Sequence, residues 1–326
     1  MDRAITRRLA TVPSVTALFV LLWLGAPLIL PVAVVVDGVR RAASGRPPMA
    51  TRLTIVAMVY SLAEIAGLIA LGASWIACAG GALFDLTPST FAIQKAWAAT
   101  IFRAVTAVFS LDVRVDGADT IRRAPYLILA RHASIIDNLL AAVLISRPHG
   151  IGVRYVMKRE LLVDPALDVA GHRLPNVFIS RSGADSEADA IGRLGATMSD
   201  REATLIYPEG TRFTAQKRDR ALRILRRRHP ELHEAASTMM NVLPPRPAGT
   251  LALLDATVCD VVFMAHRGLD GFARVVDIWR GSMVGSRVDV WFRRVPRADI
   301  PSGRDARIEW LFSEWTRMDA WIGRGA

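Results

Sequence analysis

The chain has 326 residues, 52 % of them hydrophobic, and its 41 Lys and Arg against 30 Asp and Glu give a formal net charge of +11. That length holds one sizeable domain with additions, and the positive balance suits an anionic membrane surface, phosphorylated substrates or nucleic acid without choosing among them. With two cysteines, Cys78 in an apolar run and Cys259 in an expected strand, a disulfide framework and a zinc site of ordinary spacing are excluded, and the thiols fit a reducing compartment.

Residues 1–14 are basic, with Arg3, Arg7 and Arg8. Val15–Val36 follows as 22 uncharged residues, long enough to cross a bilayer and kinked by Pro27 and Pro31. A signal peptide is the competing reading, but the stretch is long for one and no small-residue cleavage site precedes Asp37. Asp37–Arg52 reads as a polar, Arg-rich link. Leu53–Phe84 is a second apolar stretch interrupted only by Glu64, which reads as a residue snorkelling toward the interface ahead of a functional intramembrane group. Together these predict an N-terminal membrane hairpin over residues 1–86, with apolar segments 15–36 and 53–84. Arg40, Arg41, Arg46 and Arg52 in the link oppose the N-terminal arginines, so the positive-inside rule gives no clean orientation. A kinked or re-entrant hairpin with both flanks on the cytoplasmic side removes the conflict.

Thr87–Pro88 ends the apolar run, and Ser89–Phe109 carries Trp97, Ile101, Phe102, Val105, Val108 and Phe109 near helical spacing. Expected strands are Leu111–Val115, Tyr126–Ala130, Val153–Met157, Asn176–Ile179, Thr204–Tyr207, Val258–Ala265, Arg274–Trp279 and Arg287–Val295. Expected helices are Ile135–Ile145, Ser186–Met198, Gln216–Arg228 and Gly249–Ala256, with Ser302–Ile322 closing the chain. This alternation predicts an α/β domain over residues 87–326, with a mixed, mostly parallel sheet flanked by helices.

The residues able to carry chemistry come at strand ends. After Tyr126–Ala130 come Arg131 and His132 in a turn, then Asp137 in the first turn of a helix. From there the carboxylate can bend back to the imidazole, the arrangement of a general base held in one tautomer. The same stretch, Ser134-x-x-Asp137, also reads as a capping box. Tyr207-Pro208-Glu209-Gly210-Thr211-Arg212 ends another strand, where Pro208 withholds its N–H and Gly210 permits a tight turn. Open α/β sheets place ligands at such edges. Arg212 could grip a phosphate, or the Glu–Arg pair could merely brace the turn. Lys158 and Arg181 end two further strands. Surface cations are common, but three strand ends with Lys or Arg suit one anionic ligand. No Gly-x-Ser-x-Gly elbow, Walker A loop or His-Glu-x-x-His pair occurs. His149, His172, His229, His233 and His266 read as structural or surface residues. The basic run from Lys217 to Arg228 reads as a solvated helix face, an anionic-lipid contact or a site for the phosphates of CoA, and has no interleaved aromatic residues for nucleic acid.

In this order His132-x4-Asp137, Phe178-Ile179-x-Arg181, Pro208-Glu209-Gly210-Thr211-Arg212 and Leu243-Pro-Pro-Arg-Pro-x-Gly249 resemble the glycerolipid acyltransferase family, which includes the 1-acylglycerol-3-phosphate acyltransferases. Phe213 through Arg226, Pro230-Glu231-Leu232 and Leu243-Pro-Pro-Arg resemble its longer members, the lysophospholipid and lysocardiolipin acyltransferases. The resemblance implies that His132, oriented by Asp137, deprotonates the hydroxyl of a lysophospholipid, most simply 1-acylglycerol-3-phosphate, which attacks the thioester of acyl-CoA or acyl carrier protein. It assigns Arg181, Glu209, Gly210, Thr211 and Arg212 to acceptor binding and Pro245 to the acyl-donor site; Lys158 is added as a phosphate contact by its strand-end position alone. It implies no metal or organic cofactor, no nucleic-acid partner, and a place on the cytoplasmic membrane with the catalytic domain facing the cytoplasm. Another acceptor of lysocardiolipin or lysophosphatidylinositol type, a catalytically silent lipid-binding scaffold and a thioesterase remain as alternatives.

Overall fold

The computed structural model describes residues 3–180, 185–272 and 275–324. It opens with α1 (Arg3–Leu24) and α2 (Ala26–Ser44), parted by a bend at Gly25. Pro27 has no N–H to offer the Trp23 carbonyl and its ring crowds that oxygen, so the helix parts just ahead of it. The expected span 15–36 is therefore not one helix. The helices long and apolar enough to cross a membrane, among the described residues, are Ala4–Leu24 and Ala50–Ala77. Most of the expected polar link is helical too, because α2 runs on to Ser44. Asp37, buried at the turn, accepts from the N–H groups of Met49, Ala50 and Thr51 at 2.7–2.8 Å and caps α3 (Ala50–Ala77).

α3 lies between α1–α2 and the body of the protein, against α4 (Thr87–Phe109) and α7 (Pro165–Arg173). Glu64 does not snorkel. It is fully buried, accepting from Trp97 Nε1 at 2.7 Å and from Ala166 N at 3.2 Å, while Tyr60 donates to Asp164 beside it at 2.7 Å. Partners inside the protein give the carboxylate what the interface would have offered. The hairpin is fastened at both ends. Arg7 and Arg8 grip the buried Asp168 of α7 at 2.7 and 3.1 Å. At the other end Arg40 donates to the Trp279 carbonyl and lies 4.5 Å over its ring, and Met49 is wholly buried in the core.

Seven strands form one sheet: β1 (Asp112–Asp116), β2 (Tyr126–Ala130), β3 (Gly152–Lys158), β4 (Val177–Ile179), β5 (Glu202–Ile206), β6 (Asp260–Arg267) and β7 (Arg287–Val295). Their order is β1-β7-β6-β2-β5-β3-β4. β6, β2, β5, β3 and β4 are mutually parallel, β7 returns antiparallel to β6, and β1 runs parallel to β7. The mixed, mostly parallel sheet is thus as expected. The expected strand Arg274–Trp279 is not. Arg274 lies outside the described residues, and the next six residues form a short helix, α12 (Val275–Arg280). Both edges of β7 are already taken by β6 and β1, so the β-branched residues of this segment find no ladder to join there.

Alternation along β2 sorts the core into two layers. Tyr126, Ile128 and Ala130 join the cluster built with α3, α4, α5 (Asp137–Ala141) and the π turn that carries α5 into α6 (Arg147–His149). Leu127 and Leu129 face the other layer, formed by α8 (Asp185–Ala196), α9 (Ala215–Arg228), α10 (Pro230–Ser237), α11 (Pro247–Ala256) and α13 (Arg304–Gly323). The five parallel strands bring their C-terminal ends to one edge, spaced about 4.8 Å apart.

Candidate functional site

At that edge β2 passes into the His132 turn. Continuing its alternation puts Arg131 on the layer of α8–α11 and α13, and His132 on the layer of α3–α5. Arg131 is buried, donating to the carbonyls of His266 and Asn241 at 2.8 and 2.9 Å and pairing with Asp270 at 2.6 Å. His132 keeps 16 % of its side chain accessible, and its Nδ1 lies 3.1 Å from Asp137 Oδ2. The same oxygen accepts from the N–H groups of Ala133 and Ser134 at 2.7 and 2.8 Å, so the carboxylate closes the turn as well as meeting the ring. Ser134 accepts from Ile136 N at 3.1 Å, which makes it a turn brace; the helix itself starts at Asp137.

Asp137 is wholly buried. Burial alone would raise its carboxyl, but the field of the nearby His266 ring and the hydrogen bond from His132 outweigh that and hold it below the usual carboxylate range. The Tyr207 ring sits 4.5 Å from the His132 ring, and burial, reinforced by the charge of Asp137, pushes its hydroxyl well up.

The loop after β5 is tied to His132 on both sides. Glu209 Oε1 accepts from His132 N at 2.9 Å, and Phe213 N donates to the His132 carbonyl at 2.7 Å. Gly210, Thr211 and Arg212 are thereby held beside the imidazole turn. Gly210 has φ +67°, a left-handed conformation that glycine adopts without strain, and the Arg246 guanidinium lies against it. Thr211 Oγ1 and the Arg212 carbonyl both accept from Lys217 Nζ, at 2.9 and 3.0 Å. Glu209 itself turns inward. Its second oxygen accepts from Leu243 N at 3.0 Å, and burial pushes the carboxyl up to about 8 against those two amide donors and the charge of Arg131. Arg246 N donates to the Pro208 carbonyl at 2.9 Å, so the Pro-rich loop with the buried Pro245 lines up against the same turn.

Lys158 ends β3, two strands from β2, or about 10 Å along the edge. Arg181 lies outside the described residues. His132, Asp137, Glu209, Gly210, Thr211, Arg212 and Pro245 are thus gathered in one place, with Lys158 farther along the same edge. Among the described residues no group of three or more His, Cys, Asp or Glu is placed to hold a metal ion.

An apolar cavity of about 460 Å³ runs from this edge under α3 and α4. Ile135, Asn138 and Leu139 line it next to Asp137; Gly67, Leu71, Ala170 and Gly171 line it toward the far end of α3. On the opposite layer a polar cavity of about 460 Å³ is lined by Arg131, Asn241, Arg267, Asp270, Arg287 and Asp289. Its charges pair among themselves, Arg131 with Asp270, and Arg267 and Arg287 with Asp289.

Residues 112–250 match the family model described as Acyltransferase. That stretch holds the His132 turn and the Glu209 loop, and it is what the chain shares with acyltransferases. The crystal structure of the 1-acyl-sn-glycerophosphate (LPA) acyltransferase PlsC from Thermotoga maritima is similar to it at 13 % identity, covering 80 % of this chain and 98 % of that one, with a TM-score of 0.45. No curated protein matches the chain.

The structure places one further residue at the site that sequence reasoning set aside. His266, fully buried near the end of β6, has Nε2 3.2 Å from Asp137 Oδ1. The β2–β6 register pairs Ala130 with Met264, so two residues on it brings His132 level with His266. Its alternation with Val262 and Met264 was readable; the register that sets it against His132 was not.

Proposed function

We propose that this acyltransferase moves a fatty acyl group from a thioester, acyl-CoA or acyl carrier protein, to the free hydroxyl of 1-acylglycerol-3-phosphate. The observation that carries the reading is the His132–Asp137 pair beside one end of a long apolar cavity. With Nδ1 turned to Asp137, Nε2 is the nitrogen available to the acceptor. It takes the hydroxyl proton as the oxygen attacks the thioester carbonyl. The tetrahedral adduct then expels the thiolate, the C–S bond breaks, and the imidazolium returns its proton to sulfur. Asp137 stabilises the imidazolium between those steps. Direct transfer needs no nucleophilic side chain.

The acceptor phosphate is assigned to Arg212 and Lys158, past the ends of parallel strands, and to Arg181, with Gly210 and Thr211 shaping the loop. Glu209 serves the acceptor indirectly, by joining the His132 turn to the Pro245 loop that flanks the donor. No metal or organic cofactor is required. The acyl chain fits the cavity, where each buried methylene contributes about 0.8 kcal/mol.

Residues 1–86 are proposed to hold the enzyme on the cytoplasmic membrane while also walling the catalytic unit of residues 87–326. Leu21, Leu24, Leu28, Val32, Val35 and Val39 stand exposed along α1 and α2. Because both ends of the hairpin are fastened to the catalytic unit, we place it along one leaflet rather than across the bilayer, the catalytic domain on the cytoplasmic side.

The test is thiol release from long-chain acyl-CoA by membranes carrying the protein, with and without 1-acylglycerol-3-phosphate. Acceptor-dependent release that falls at least about a hundredfold in His132→Ala supports the assignment. Acceptor-independent release would make the protein a thioesterase. Silence with CoA and carrier-protein donors and with other lysolipids would leave a lipid-binding scaffold.

A further inference from the structure

We propose that His266 is a positioning residue of the acyl-transfer site, holding Asp137 from the side opposite His132 so that one carboxylate is braced by two imidazoles. This rests on the assignment of His132 and Asp137 given above.

The two oxygens of Asp137 are unequally served. Oδ2 meets three donors: His132 Nδ1, Ala133 N and Ser134 N. Oδ1 has no well-aligned hydrogen bond among the described residues, and the polar atom facing it is His266 Nε2 at 3.2 Å. Neither ring nitrogen of His266 has another hydrogen-bond partner among the described residues, and both side chains are fully buried. A buried carboxylate oxygen and a buried imidazole, each otherwise unserved, are costly alone and satisfy one another when Nε2 carries the proton.

His266 is also unusually well anchored. It lies on a central strand, across from Val290 of β7, and its carbonyl accepts from Arg131 Nη1 at 2.8 Å. The next residue, Arg267, is fixed to Asp289 at 2.9 Å. The Asp137 carboxylate, at the start of a five-residue helix, thus receives a support belonging to the sheet rather than to the turn.

A donor on Oδ1 has two effects. It stops the carboxylate rotating, which keeps Oδ2 in line with His132 Nδ1. It also draws charge from Oδ2, which weakens the hold of Asp137 on the imidazolium formed during transfer. The other groups around the pair are Arg131, joined to the His266 carbonyl, the Tyr207 ring against His132, and Glu209 on the His132 N–H. None of these changes when His266 is replaced, so a shift in the acidic limb of activity reports on the Asp137 contact.

The experiment compares His266→Gln, His266→Asn and His266→Leu with wild type, measuring lysophosphatidate-dependent thiol release against pH in the full-length membrane protein. The Gln amide reaches the position of Nε2 whereas the Asn amide reaches only that of Nδ1. We expect His266→Leu and His266→Asn to lose about tenfold to a hundredfold in kcat, with the acidic limb raised by about half to one pH unit. His266→Gln should recover most of kcat and return the limb toward wild type, and KM for the acceptor should stay within about twofold in every active variant. If Gln and Asn behave alike, or the limb stays put while kcat falls, His266 is a packing residue and the proposal fails. The Gln–Asn pair decides even if the Leu variant does not fold. Unchanged transfer in His132→Ala is a separate failure, since it removes the site assignment itself.

Discussion

Asp137 and Glu209 are both buried acids at one turn, yet their surroundings drive them in opposite directions. Asp137 is held below the usual carboxylate range by two imidazoles, whereas burial leads at Glu209 and lifts it to about 8. The folded value of Glu209 lies above that of an unfolded glutamic acid, about 4.3, so the native state binds the extra proton. Its contribution to stability is complete below about pH 4 and fades as pH rises through about 8. Glu209→Gln has no proton to lose. Denaturant midpoints at pH 6 and pH 9 should therefore fall less in the variant than in wild type, and equal falls would show that Glu209 is ionised throughout. The His132–Asp137 pair was legible because its geometry is local: five positions, a turn and a helix start. His266 and the inward turn of Glu209 were illegible because each depends on a partner more than 70 residues away in sequence, Asp137 for one and His132 for the other.

Among the elements, α3 departs furthest from its reading. Its composition announces a membrane segment, and by length and hydropathy it qualifies as one. Composition could not tell that Trp97, Ala166 and Asp164 would join Tyr60 in enclosing Glu64, since those three come from α4, α7 and the turn before α7. The strands were read well where flanking turns punctuate apolar runs, as at Tyr126–Ala130. Val275–Arg280 was misread because its β-branched residues carry no information about whether a sheet edge is open. α3 also roofs the apolar cavity, where Gly67 faces Trp97, a Cβ at Gly67 coming 3.4 Å from the indole. Gly67→Leu should shorten the space for the acyl chain and move donor preference toward shorter chains. Turnover with a short donor should remain within about threefold of wild type, since the substitution is remote from His132. An unchanged chain-length profile would show that the chain binds elsewhere.

For the molecule as a whole, the two ends of the hairpin decide its relation to the bilayer. Twenty-eight helical residues span about 42 Å, more than the hydrocarbon core, so length permits crossing. The contacts oppose it: Arg7 and Arg8 reach Asp168 at one end, and Arg40 reaches Trp279 at the other. Crossing the membrane would need one of these fastenings to break. Single cysteines at Thr6 and Arg46, introduced into a protein lacking Cys78 and Cys259, should both react with an impermeant maleimide from the same side of sealed vesicles. Reaction from opposite sides would establish a spanning hairpin.

The roof that α3 lends to the cavity bears on how the protein is handled in detergent. An apolar space of about 460 Å³ lined by Leu71, Trp97, Ile101 and Leu139 does not distinguish a fatty acyl tail from the alkyl tail of a detergent. Straight-chain detergents then act as competitors as well as solvents, and their inhibition should ease as donor concentration rises. Rigid, steroid-based detergents cover the outer face of α1–α3 without a tail to thread inside. The solubilising agent thereby becomes a reactant in all but name, and the apparent affinity for the donor is a property of the pair.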